Sequence, residues 1–320
     1  MRFLALLSGE HETLPREEFL TVLEADGADH TVEETFEDAV LVEAEQADFS
    51  RLAMTHEVCE VLCVCGRDDL GPVEELDLSF NGSFAVRASG LDAEPDEELE
   101  GELGALIEEV TDNQVDLEQP DVLFRALTAE DRLFVTRQVA DIDTGSFEER
   151  RSHLRPYSSP VSLHPKLARA MVNLAGLSRG ESVLDPLCGT GGLLLEAGLI
   201  GLEPHGRDVD PEMVEGAKEN LAAYGVEAAL GQGDVHELAA SVDRTFDAVV
   251  ADLPYGRASR KEGEQIAEVF VEQARRVTDG SVVFMSDRDD VAGLEPRFEI
   301  YVHKSLSRHL YVVEPDGDKG

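Results

Sequence analysis

The sequence predicts two folded parts: an N-terminal α+β region and a C-terminal α/β unit built as a doubly wound parallel sheet. Three observations lead there. A chain of 320 residues is long enough for two cores at the usual ~100 to 200 residues per domain. Short apolar runs alternate with helix-period runs throughout the second half, the pattern of strands joined by crossover helices, whereas the first half is of mixed order. The acidity is also uneven: residues 1–150 hold 40 acidic and 9 basic side chains, and residues 151–320 hold 28 and 18. The expected boundaries are 1–145 for the N-terminal region, 146–163 for a linker and 164–320 for the C-terminal unit. Gly145, the Arg150-Arg151 pair, Pro156 and Pro160 interrupt any periodicity between them.

Taken in order, Arg2 to Leu7 reads as a strand. Pro15 to Ala25 reads as a helix, opened by Pro15 with Glu17 and Glu18 near its positive end. Ala39 to Ala44 is a second strand, and Glu57 to Cys65 an apolar helix or strand segment. Phe84 to Ala88 is a strand, followed by a helix from Asp96 to Val110 with Leu99, Leu103, Leu106, Ile107 and Val110 on one face. Val122 to Leu127 and Arg132 to Val139 flank Thr128-Ala129-Glu130-Asp131 as a closing hairpin.

In the second half, helices are expected at Lys166 to Leu177, Gly192 to Leu199, Pro211 to Tyr224 and Glu264 to Val277. Strands alternate with them at Ser182 to Leu184, His205 to Val209, Glu227 to Leu230, Phe246 to Ala251 and Ser281 to Met285. Phe298 to His303 and His309 to Glu314 make a final antiparallel pair. Folds of this kind bind ligands beyond the carboxyl ends of their strands.

The 68 acidic and 27 basic residues give a net charge of -41, which makes simple electrostatic attraction to nucleic acid the wrong first guess. Only 5 of the basic residues are lysine. Acidic excess with arginine kept resembles the cytoplasmic proteins of salt-accumulating halophiles, where a Debye length of about 3 Å at ~1 M salt screens surface carboxylates. The apolar stretch near Met1 is too short for a signal peptide or a spanning helix, so a cytoplasmic protein without membrane association is expected. Cys59, Cys63, Cys65 and Cys188 are too few for a disulfide-stapled chain, and no CxxC pair or histidine cluster completes a metal site.

The strongest local signal is Val183-Leu184-Asp185-Pro186-Leu187-Cys188-Gly189-Thr190-Gly191-Gly192. A strand delivers Asp185, a glycine turn follows, and a helix starts at once. This is neither the G-x-G-x-x-G dinucleotide fingerprint nor a P-loop, so no pyrophosphate is expected. The second strand ends in Asp208-Val209, where an acidic side chain can accept both hydroxyls of a ribose. The third ends in Asp234-Val235, where Asp234 can accept from an adenine amino group while Val235 covers the ring. The fourth runs into Asp252-Leu253-Pro254-Tyr255-Gly256, which suits chemistry on a planar nitrogen. Asp252 can hydrogen-bond an exocyclic amino group, a backbone carbonyl aimed by Pro254 can hold its other proton, and Tyr255 can stack on the ring. Two acceptors favour pyramidalisation of a nitrogen whose lone pair is otherwise delocalised, so the rate gain comes from positioning and electrostatics.

These motifs resemble class I S-adenosylmethionine-dependent amino methyltransferases acting on nucleobases. Arg155-Pro156-Tyr157, the run from Ser162 to Leu174, and Asp208 to Leu221 are similar, more narrowly, to the archaeal tRNA (guanine-10-N2) methyltransferase family. Phe84 to Ala88 and Val115 to Pro120 resemble a THUMP RNA-binding domain preceded by a small ferredoxin-like domain.

The resemblance implies a Rossmann-like methyltransferase sheet behind a ferredoxin-like and THUMP module, with S-adenosylmethionine as cofactor and tRNA as partner. The implied reaction is methylation of the N2 amine of guanosine 10, once and then again. Asp185, Cys188, Gly189, Thr190 and Gly191 would form the methionine-binding loop; Asp208 and Val209 would bind the ribose, and Asp234 and Val235 the adenine. Asp252, Pro254 and Tyr255 would be catalytic, and Arg151, Arg155 and Arg257 would meet RNA. Leu253 departs from the proline of many relatives. Methylation at guanosine 6, a non-catalytic RNA-binding subunit and a requirement for a small zinc-binding activator protein stay open.

Overall fold

The computed structural model describes residues 1–45, 48–91, 97–159, 162–254, 260–303 and 306–315. In chain order its elements begin with β1 (Arg2–Leu7), α1 (Leu14–Ala25), β2 (His30–Thr35), β3 (Ala39–Ala44), β4 (Thr55–Gly66), α2 (Gly71–Glu74), β5 (Phe84–Gly90), α3 (Glu97–Thr111), β6 (Val122–Ala129) and β7 (Arg132–Asp141). They continue with α4 (Gly145–Glu149), α5 (Pro165–Asn173), β8 (Ser182–Asp185), α6 (Gly192–Leu199), β9 (Glu203–Asp208), α7 (Pro211–Ala223) and β10 (Ala229–Gln232). The last are α8 (Leu238–Ser241), β11 (Ala248–Asp252), α9 (Arg260–Ala274), β12 (Val282–Ser286), β13 (Phe298–His303) and β14 (Leu306–Val313).

The chain divides into two compact units, and the division is not one cut. The first unit takes Met1–Glu12, Gly27–Ser50 and Thr55–Ile142; the second takes Thr13–Asp26, Arg51–Met54 and everything from Asp143 onward. A single boundary near residue 145 therefore misplaces α1 and the segment 51–54. The segment expected as a linker is also partly ordered, with α4 and a 3-10 turn at Ser152–Leu154.

The first unit is a seven-stranded sheet in the order β2-β3-β1-β4-β7-β6-β5. Only β5 and β6 pair in parallel; the expected hairpin of β6 and β7 is antiparallel, Leu127 opposite Phe134. The apolar face of α3, with Leu99, Leu103 and Ile107, packs with Phe84, Phe124 and Val135. The edge strand β2 escaped the sequence reading because His-Thr-Val-Glu-Glu-Thr is mostly exposed and carries no apolar alternation.

The second unit is a seven-stranded sheet in the order β10-β9-β8-β11-β12-β14-β13. Its first five strands are parallel, and β14 runs antiparallel between β12 and β13. Alternate residues feed two cores, as a sheet covered on both faces requires. Val183, Val250, Met285 and Leu310 join α5 and α6 in one; Leu184, Val249, Phe284 and Tyr311 join α9 in the other. The strand expected at Glu227 to Leu230 begins two residues later, at Ala229, because Gly225 and Val226 still close the turn after α7.

A buried polar cluster ties α1 into this unit. Glu18, wholly buried, accepts from the N–H groups of Ala53 and Met54 at 2.9 and 2.7 Å and from Asn173 Nδ2 at 2.6 Å. Burial nevertheless raises its pKa, with the hydrogen bonds from Asn173, Met54 and Ala53 and the charge of Arg169 opposing. Among the described residues no helix is long and apolar enough to cross a membrane.

Candidate active site

Strand order reverses between β8 and β11, and that switch point is where an open α/β sheet leaves a crevice beyond its carboxyl ends. Three aspartates arrive there at strand ends: Asp185 from β8, Asp208 from β9 and Asp252 from β11. A cavity of about 320 Å³ is lined by all three together with Cys188, Gly189, Thr190, Val209 and Pro254. Ser162, Leu163, Leu253 and Ile266 complete much of its wall.

The glycine turn is shaped by hydrogen bonds to the neighbouring strand. Cys188 N–H donates to Arg207 O at 2.8 Å, and Gly191 N–H closes the turn on Cys188 O at 2.8 Å. Gly189 has φ 49° and Gly191 φ 79°, left-handed values that other residues adopt at a cost. A Cβ on Gly191 would stand 3.2 Å from that of Ala217, whereas one on Gly189 would meet open space. Ligand can thus approach the backbone at Gly189 closely.

Asp185 is 2% exposed and accepts from the N–H of Leu187 at 3.0 Å. Burial holds its carboxyl well above the usual range; the Leu187 hydrogen bond opposes this, and the charges of Asp252 and Asp208 add to it. Burial likewise keeps the Cys188 thiol protonated. The Asp252 carboxyl is raised by burial and pulled back by Arg308, whose Nη1 lies 2.5 Å from its Oδ1.

Not every expected residue meets in this cavity. Asp234 and Val235 follow β10 but do not line it: Asp234 accepts from the His236 N–H at 2.9 Å, while Val235 is 5% exposed and joins the core. Arg151 is half exposed and pairs with Glu148 at 2.9 Å. Arg155 corrects the sequence reading. It is 4% exposed, donates from Nε to Arg150 O at 2.8 Å and lies against Gly192, so it presents no face to RNA. Tyr255 and Arg257 lie outside the described residues.

Three further residues shape the site without having been singled out. Asn220, buried in α7, donates to Thr190 O and to Tyr157 O, both at 3.0 Å, and accepts from Tyr157 N–H at 2.9 Å. Gly216 is required beside it, since a Cβ there would run into the Tyr157 ring. An asparagine inside a helix, where its propensity is poor, was the available signal. Arg308 is the third, an arginine only 3% exposed near the start of β14. A larger hollow, about 440 Å³, lies on the first unit's sheet beside Phe3, Phe49 and Arg137, and none of the candidate residues lines it.

The donor set fits S-adenosylmethionine. Carboxylates suit an amino group and a ribose diol, the uncovered Gly189 backbone admits close contact, and among the described residues the lining holds no lysine or arginine for a pyrophosphate.

Residues 152–294 match the family described as UPF0020, RMKL-like methyltransferase domain. The tRNA (guanine(10)-N2)-dimethyltransferase of Methanothermobacter thermautotrophicus is 37% identical, over 98% of this chain and 99% of that protein. The protein of the same name from Methanocaldococcus jannaschii is 31% identical, over 96% and 98%. The crystal structure of TrmN from Thermus thermophilus superposes with a TM-score of 0.54 at 22% identity, covering 98% of this chain and all of that one, which supports the fold. Full-length similarity at that identity extends well beyond the methyltransferase sheet, and on it the chain belongs to the archaeal tRNA (guanine-10-N2) methyltransferase family.

Proposed function

We propose that the protein methylates the exocyclic N2 amine of guanosine 10 in tRNA, giving N2-methylguanosine and then N2,N2-dimethylguanosine. The observation that carries this reading is the meeting of Asp185, Asp208 and Asp252 around one cavity at the switch point of the sheet, in a chain of this family. S-adenosylmethionine supplies an activated sulfonium methyl whose C–S bond electrons return to sulfur as the N–C bond forms.

The protein's own groups bind and aim. Asp185 and the Cys188 to Gly191 turn hold the methionine end, and Asp208 with Val209 holds the ribose. Asp234 stands toward the adenine end; its carboxyl is held below the usual range by the His236 N–H and ring, so it stays an acceptor. Asp252 and the Leu253 carbonyl hold the target amine, Pro254 fixes the turn, and Tyr255 stacks on the base. The proton lost from the amine leaves by way of Asp252 to solvent. Position 10 lies in a folded stem, so the base must be flipped out, at a cost of a few kcal/mol.

The first unit is assigned to RNA binding, with Arg151 and Arg257 as further contacts. A net charge of -41 fits work in concentrated salt, where counterion release contributes little and recognition rests on shape and stacking.

Incubation with labelled S-adenosylmethionine and an unmodified tRNA transcript at high salt, followed by nucleoside mapping, tests the reading. Label at guanosine 10 supports it. Label at guanosine 6 moves the target. Cofactor binding with no transfer makes the chain a non-catalytic subunit, unless a small zinc-binding partner protein restores activity.

A further inference from the structure

Arg308 is a costly residue to place where it is. A buried guanidinium loses several kcal/mol of hydration unless it is well paired, and this one is 3% exposed in a core strand. Because β12 lies between β14 and β11, the side chain reaches across the end of β12. Its Nη1 meets Asp252 Oδ1 at 2.5 Å, and its Nη2 donates to Leu253 O at 3.2 Å and to Met285 O at 3.4 Å. One planar fork thereby touches the side chain of Asp252 and the carbonyl of the next residue. These are the two acceptors assigned above to the guanine amine.

We propose that Arg308 is a positioning residue that fixes both amine acceptors and, by staying bound to them, permits the second methyl transfer. The proposal rests on the amine-site reading of Asp252 and Leu253. Guanine N2 begins with two N–H groups, one for each acceptor. In each round its lone pair bonds the methyl carbon, the C–S electron pair goes to sulfur, and one N–H proton leaves. The monomethylated amine therefore returns with a single N–H, and one acceptor loses its substrate donor. Leaving a buried acceptor unmet costs the desolvation of that group, which slows the second transfer relative to the first. A carboxylate has about four acceptor sites and a carbonyl two. Arg308 fills one on each oxygen centre in both rounds, so neither is left bare.

The charge works in the same direction. Asp252 shares the crevice with Asp185 from β8 and Asp208 from β9, both anionic when ionised, while Arg308 faces it from β14. The guanidinium opposes the upward shift that burial imposes on Asp252, and the ionised carboxylate is the stronger acceptor for the amine and the form that favours its growing positive charge.

The test uses single-turnover methylation by the full-length protein of unmodified tRNA and of the same tRNA carrying N2-methylguanosine at position 10. Arg308→Gln should slow the first transfer about 10-fold and the second by about a further 10-fold, and its acidic limb should move to higher pH. In cofactor-free protein, the ¹³C carboxyl signal of Asp252, identified by its loss in Asp252→Asn, should titrate at higher pH in Arg308→Gln. Arg308→Lys restores the charge without the planar fork; its titration should return toward that of the wild type while its second transfer still lags. Should Arg308→Gln fail to fold, the lag in Arg308→Lys decides. Equal slowing of both transfers with an unmoved titration overturns the proposal, as does a wild type that stops at one methyl. Wild-type transfer by Asp252→Ala overturns the amine-site reading itself; an inactive Asp252→Ala beside a normal Arg308→Gln overturns only the role of Arg308.

Discussion

Asp208 accepts a hydrogen bond from the backbone N–H of Gly189 at 2.9 Å, so the carboxylate ending β9 is anchored on the turn that follows β8. Its other oxygen accepts from the N–H of Asp210 at 2.9 Å. Two of about four acceptor sites are thus used in orienting the group, and two remain for a ribose diol.

Asp208→Ala should weaken S-adenosylmethionine binding by about 1.5 to 3 kcal/mol, the worth of hydrogen bonds to a charged acceptor. Asp210→Ala is the matched control. Asp210 caps α7 by accepting from Glu212 N–H at 2.8 Å, so its loss should cost about 1 kcal/mol of stability and little affinity. Titration calorimetry at fixed high salt reads both. Unchanged affinity in a folded Asp208→Ala protein would remove the ribose assignment.

Asp185 should make the protein less stable as pH rises. Its folded carboxyl titrates well above the ordinary value because it is buried, with the Leu187 N–H opposing and the charges of Asp252 and Asp208 adding. The folded chain therefore holds a proton that the unfolded chain has already lost, and stability falls from the ordinary carboxylate range up through the raised value. Asp185→Asn keeps an acceptor for Leu187 N–H and does not ionise. Urea unfolding across pH should show the variant flatter in that window and more stable than wild type at neutral pH, with weaker cofactor binding. A parallel pair of stability curves would sink the idea.

Much of this arrangement was legible from local pattern. β1 and β3 follow from apolar runs, and α6 from the glycine turn that starts it. The carboxylates at the ends of β8, β9 and β11 were found because each follows a short strand and precedes a loop with its own signal. What local pattern does not encode is long-range partnership. The Glu18 pairing with Asn173 spans 155 residues, and nothing near Glu18 marks α1 as part of the second unit. Arg155 read as a surface cation because sequence gives charge but not burial. Arg308 carried no motif at all; its role appears only once β14 is placed two strands from Asp252.

The discontinuous second unit predicts the behaviour of a fragment. Leu14 and Met54 are buried in the cluster that contains Met171 and Val172, and a chain beginning at Asp143 lacks both, along with Glu18. Each large core side chain lost costs about 2 to 5 kcal/mol, and Asn173 keeps a donor without its carboxylate. The fragment 143–320 should lack a cooperative thermal transition, and Asn173→Leu in the full chain should lose about 2 to 4 kcal/mol. A fragment melting cooperatively at the full-length temperature would show that α1 and 51–54 are dispensable to that unit.

The decisive chemistry is at Asp252. It stands at the end of the buried Ala248–Asp252 strand, one oxygen held by Arg308, in a cavity wall it shares with Leu253 and Pro254. Asp252→Ala should cost stability by stripping buried Arg308 of its ion-pair partner, yet in the folded protein it should leave cofactor affinity largely intact while slowing methyl transfer by roughly 10²-fold or more, at least about 2.7 kcal/mol of lost transition-state stabilisation. Tyr255→Ala should instead lose base stacking of about 1 to 3 kcal/mol, whereas Tyr255→Phe keeps the ring and most of the rate. Single-turnover transfer to guanosine 10 separates these cases, because a lost amine acceptor lowers the rate at saturating tRNA and a lost stacking partner also weakens capture of the flipped base. Near-normal transfer by a folded Asp252→Ala protein would reject the amine site, and with it the reason for three carboxylates and one guanidinium to meet at this end of the sheet.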